Sequence, residues 1–105
     1  MIKLYVSIPP KYNLADEDMK PLITRYEDLA HKVEVKLGKY CELNYTLDGL
    51  FEADVEKGKK DFQTDSLIDL MNADYAIFAE SWQNAEECLT IHKIAEALNI
   101  PIVEL

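Results

Sequence analysis

The chain has 105 residues, 49% of them hydrophobic, which suits one domain with a buried core and leaves little room for a second. Its formal net charge of -9 at pH 7 argues against a nucleic acid polymer or an anionic membrane as partner, since both are polyanions. No segment approaches the roughly 18 consecutive apolar residues of a membrane span, so the expectation is a soluble, cytoplasmic protein with reduced thiols.

In chain order, "IKLYVSI" reads as a strand, β-branched and aromatic and stopped by Pro9-Pro10. The loop "KYNLADEDMK" follows, and Pro21 suits the first turn of a helix. Leu22, Ile23, Tyr26, Leu29, Ala30, Val33 and Leu37 keep helical spacing up to a stop at Gly38. "YCELNYT" is the second strand. "LDGLFEADVEKGKKDFQ" has the weakest pattern of the chain and is expected to be a long, partly mobile loop, of a length that is often functional.

Thr64 or Asp65 can cap a helix carrying Leu67, Ile68, Leu70 and Met71. "DYAIFAES" is a nearly continuous apolar run, as in a strand covered on both faces. A last helix is expected from about Asn84 to Asn99, with Cys88, Ile91, Ile94, Ala95 and Leu98 facing inward, and "IPIVEL" is a final strand. This alternation predicts an α/β, doubly wound, Rossmann-like or flavodoxin-like domain over residues 1–105. Its four-stranded parallel sheet would run in the order 2-1-3-4 with helices on both faces. Ligands of such sheets bind at the carboxyl ends of the strands. The candidate surfaces are therefore Ser7 to Pro10, Tyr45 to Leu50 and Glu80 to Glu87.

Neither a P-loop nor a dinucleotide fingerprint is present, and 3 glycines in all make a glycine-built phosphate cradle a poor expectation. His31 and His92 lack partners at ligand spacing, and Cys41 and Cys88 form no metal pattern, so no metal and no cofactor are expected. No serine or cysteine has a recognisable base beside it. Carboxylates and aromatic rings at the carboxyl edge of the sheet remain.

There the sequence resembles the nucleoside 2-deoxyribosyltransferase-like proteins. "LYVSIPP" is similar to their opening Y-L-[AS]-G-P, and "DSLIDLMNADYAIFAESWQNAEECLTIHKIAEALNIPIVEL" is similar to the ending of a small branch with W-E-N-S-x-G-A-x-x-E-H. The resemblance covers both ends of the chain and little of the middle. It implies chemistry at an N-glycosidic bond, in which a carboxylate of the last helix attacks C1 of a deoxyribose.

By that resemblance Tyr5 matches the tyrosine that orients the carboxylate, and Ser7 and Pro9 fall in the first loop. Asp65 lies at or one position from the aspartate that steadies the base. Asp74 matches the alanine-aspartate position, and Trp82 and Asn84 match the tryptophan and asparagine after the third strand. Three departures stand out, one of them Glu87 in place of the glycine that opens the last helix. Ile91 occupies the place of the nucleophilic glutamate, and Ile8 that of a glycine that lets ligand approach.

Glu87, one helical turn before Ile91, is the one carboxylate placed to substitute, although a first-turn glutamate also simply stabilises its own helix. Three functions follow: a nucleoside- or nucleotide-binding domain with a degenerate catalytic site, an active N-glycosidase or transferase using Glu87, or a non-catalytic adaptor. The resemblance also implies a homodimer or higher homo-oligomer.

Overall fold

The computed structural model describes all residues, Met1–Leu105. Three strands, β1 (Ile2–Ser7), β2 (Cys41–Asn44) and β3 (Tyr75–Phe78), form an all-parallel sheet in the order β2-β1-β3. The helices are α1 (Met19–Leu37), α2 (Val55–Met71) and α3 (Glu86–Ala97).

The expected fourth strand is not formed. Residues 101–103 lie parallel to β3 but meet it through a single bridge, Ala76 to Ile102. The Ala76 N–H donates to the Pro101 carbonyl at 2.9 Å and the Val103 N–H to the Ala76 carbonyl at 2.8 Å. Pro101 has no N–H to extend the ladder back toward residue 100, and no bond to β3 follows beyond Val103, so the sheet has three strands, not four in the order 2-1-3-4.

The two-residue period of β1 divides the core. Leu4, Val6 and Ile8 pack with Tyr26, Ala30 and Val33 of α1 and with Ile77, Ala79 and Val103. Tyr5 points to the opposite face and packs with Leu70 of α2, Ala76, and Ile91 and Ala95 of α3. One helix thus covers one face and two cover the other. Tyr26 of α1 also stacks on Tyr45, centroids 4.5 Å apart, which ties α1 to the chain leaving β2.

Helix α1 begins at Met19, two residues before Pro21, and is led in by a 3-10 turn at Asp16–Asp18. It ends at Gly38, whose φ of 67° is the left-handed cap conformation and whose N–H donates to the Glu34 carbonyl at 2.8 Å.

Helix α2 corrects the expectation of a loop through residues 46–63. It starts at Val55, where the Asp54 side chain caps it by accepting the Lys57 N–H at 3.2 Å. Thr64 and Asp65 are therefore inside the helix and cap nothing. Its buried stripe is Gly58, Phe62, Ser66 and Leu70, an i, i+4 series in which two of the four residues are small. Gly49 and Gly58 approach backbone to backbone, and a Cβ on either would overlap the carbonyl oxygen of the other. This contact seats the 46–54 loop on α2.

Helix α3 is shorter than the expected 84–99. Trp82–Asn84 form a separate 3-10 turn, and Leu98, expected to face inward, is the C-cap and half-exposed.

Candidate functional site

The carboxyl ends of β1 and β3 meet where a doubly wound sheet ordinarily opens a ligand crevice. Here that crevice is filled. Ile8 and Leu50 are both buried, and the Leu14 N–H donates to the Leu50 carbonyl at 3.0 Å, joining the loop after β1 to the loop after β2. The Tyr12 hydroxyl donates to the Glu87 carboxylate across the same opening, its ring edge-on to Phe62 and 5.9 Å below the Lys59 ammonium. A small cavity of about 160 Å³ remains on the α1 side, lined by Pro9, Pro10, Leu14 and Arg25 among others.

The residues singled out in the sequence do not converge on one pocket. Tyr5 and Ser7 lie beneath the surface, 2% and 4% exposed. Ser7 Oγ donates to Cys88 Sγ at 3.3 Å, and burial pushes the Cys88 thiol up. Burial pushes the Tyr5 phenol up to about 12, an effect that the neighbouring Ser66 and Ser7 hydroxyls partly offset. Ser66 Oγ is buried without a partner at hydrogen-bonding geometry.

Asp65 stands on α2 beside Asp48. The hydrogen bond with Asp48, burial, and the charges of Asp48, Asp61 and Asp69 hold its carboxyl above the usual range. Asp74 is at the other end of the sheet, its carboxylate accepting the Lys3 N–H at 2.8 Å, which fits a structural turn residue. Pro9 lines the small α1-side cavity, and Asn84 is exposed at the end of the 3-10 turn.

Ile91, 1% exposed, packs with Tyr5, Leu70, Ala76 and Ala95. Ile77 is not among its neighbours and belongs to the core on the far face of the sheet, because successive strand residues point to opposite sides. Glu87 is one turn away but is engaged by Tyr12. The cleft beside it, about 310 Å³, is lined by Lys59, Lys60, Gln63, Glu86, Glu87 and Thr90, with no hydrophobic or aromatic residue.

The largest opening lies one strand further along. A groove of about 650 Å³ runs past the end of β3, between the Leu29–Lys32 side of α1, the turn at residues 80–83, His92 of α3 and residues 102–105. Ser81 turns the chain there in the left-handed region, φ 70° and ψ 16°, a conformation few non-glycine residues adopt. The turn brings Trp82 onto His92 of α3, with ring centroids 4.1 Å apart and planes 4° from parallel. Phe78 closes the group, 4.8 Å from His92 and 5.6 Å from Trp82.

Trp82 was legible as a candidate. His92 was not, because helical spacing set it beside the core stripe and nothing local marked its contact with Trp82. No group of three or more His, Cys, Asp or Glu side chains is placed to hold a metal ion, and no helix is long and apolar enough to cross a membrane.

Comparison of the chain with family models, with curated proteins and with solved structures finds no match.

Proposed function

We propose that this chain is a non-catalytic binding domain for a nucleoside, seated in the groove beside Trp82. The observation that carries the reading is the aromatic wall of Trp82, His92 and Phe78 along a groove of about 650 Å³. That volume falls within the roughly 300–1,000 Å³ of small-molecule sites, and aromatic faces suit a flat heterocycle. The polar side chains of Ser81 and Gln83 share the groove and suit a sugar. Glu80 and Glu104 outnumber the one lysine, Lys32, which favours an uncharged nucleoside over its phosphates.

Catalysis at the N-glycosidic bond is not part of the reading. Ile91 is buried, and Glu87 is held by Tyr12 in a cleft lined by no aromatic residue on which a base could stack. The resemblance to nucleoside 2-deoxyribosyltransferase-like proteins supports the ligand class and leaves the ligand's position to the groove.

A second reading has one observation in its favour. Leu29, Ile102 and Leu105 give the groove an apolar floor, and a second copy of the chain could cover it as a homodimer. Sedimentation at tens of micromolar separates the two, since a dimer through this face dissociates on Trp82→Ala.

The test of the first reading is a thermal-shift series with purine and pyrimidine nucleosides, because a ligand that binds only the folded state raises its melting temperature. The expected result is a saturable rise with at least one nucleoside, a smaller rise with its monophosphate, and none with Trp82→Ala. A rise that survives Trp82→Ala, or no rise with any nucleoside, removes the reading.

A further inference from the structure

His92 lines the groove, and its two ring nitrogens stand in different environments. Nδ1 lies 3.1 Å from Glu96 Oε1, one helical turn along α3. An ionised carboxylate only accepts, so this hydrogen bond requires the proton to be on Nδ1. In the neutral imidazole Nε2 then keeps a lone pair, and no protein donor meets it. The ring lies flat against Trp82 and tilted against Phe78 at 4.8 Å, which holds its plane, and the Nδ1 contact with Glu96 sets which edge faces along α3. Glu96 is itself exposed, so it positions the ring from outside the groove.

We infer that His92 Nε2 is a fixed hydrogen-bond acceptor in the groove, selecting nucleosides whose base presents an N–H donor beside the stacked rings. The inference rests on the groove reading above and narrows its ligand class. Glu96 is the positioning residue. A base without an N–H leaves Nε2 facing an apolar edge after its water has been displaced, and that loss is what discriminates.

The test has two arms. In the first, quenching of the sole tryptophan, Trp82, is titrated at pH 8 with adenosine, with N6,N6-dimethyladenosine and with purine riboside, the latter two lacking a base N–H. Adenosine is expected to bind roughly tenfold more tightly than either, as one net hydrogen bond provides. His92→Phe keeps the stacked ring and is expected to bring the ratio to about one. Glu96→Ala, a change at an exposed side chain, is expected to lower it without abolishing quenching.

In the second arm, long-range 1H–15N NMR of the unliganded protein reads the His92 tautomer. It is expected to show Nδ1 protonated in the parent and a mixed population in Glu96→Ala. Equal binding of the three nucleosides, a ratio that persists in His92→Phe, or a proton on Nε2 in the parent overturns the inference while leaving the groove reading intact. Absence of quenching by every nucleoside overturns both.

Discussion

Replacing Ile91 by glutamate restores the residue type that the resemblance calls for, and its cost follows from the packing. The side chain is 1% exposed among Tyr5, Leu70, Ala76 and Ala95. Losing its burial removes about 1.5–3 kcal/mol. Placing a carboxyl group there without full hydrogen bonding costs about 1–3 kcal/mol more, even if it stays neutral. Burial raises the folded-state pKa of the new glutamate above its unfolded value of about 4.3.

The sign of the pH effect is therefore fixed. The penalty is smallest below the unfolded pKa and grows as pH rises through the raised folded pKa. A shift of about two units adds about 3 kcal/mol at pH 8, which brings the total to a large share of a typical domain's stability.

Ile91→Gln is the control, polar and of the same length but without titration. Urea unfolding of both variants at pH 4 and pH 8 is expected to show nearly equal midpoints at pH 4 and a markedly lower one for the glutamate at pH 8. Equal midpoints at both pH values would refute the claim that Ile91 is sealed in an apolar site. So would a stable Ile91→Glu protein that releases free base from a deoxynucleoside, because the pocket would then be open.

Three other outcomes follow from the structure. Gly58→Ala in the helix α2 interior would ordinarily add about 1 kcal/mol of stability, but the overlap with the Gly49 carbonyl is expected to reverse the sign, seen as a lower urea midpoint. Burial raises the phenols of Tyr5, to about 12, and of Tyr26, and for Tyr12 burial is joined by the hydrogen bond to Glu87 and its charge. Stability held by these neutral phenols is full below about pH 10 and is lost as pH rises through the folded values, so phenolate absorbance from these three residues should appear together with alkaline unfolding. Asp48→Asn removes the like charge beside Asp65 and Asp69, both held above the usual carboxylate range, and should raise the melting temperature slightly at pH 7 but not at pH 3.

The sequence showed its strands and its first helix because their apolar residues repeat at the period of the element that buries them. β1 and β3 read as buried strands, and Gly38 stopped α1 as expected. The first half of helix α2, residues 55–63, was hidden because Gly58 occupies a buried position that a hydrophobic pattern leaves blank. The final strand was overestimated because "IPIVEL" has strand composition, whereas pairing needs N–H groups in register and Pro101 lacks one.

For the site, Ile91 was legible as a departure, and its burial follows from its place on the α3 stripe with Cys88 and Ala95. The aromatic wall was legible only in part. Trp82 and His92 are ten positions apart, and their contact depends on the left-handed turn at Ser81, which no local residue preference announces.

The most direct measurement is two-dimensional 1H–15N NMR of the labelled protein during titration with a nucleoside. Trp82 contributes the only indole N–H, so its cross-peak reports the groove without ambiguity. This peak and the His92 amide are expected to move saturably together, while the amides of Tyr12 and Glu87 stay in place and no free base accumulates. Shifts centred on Tyr12 and Glu87 with the indole unmoved would contradict it and place the ligand at the crevice that the fold has closed.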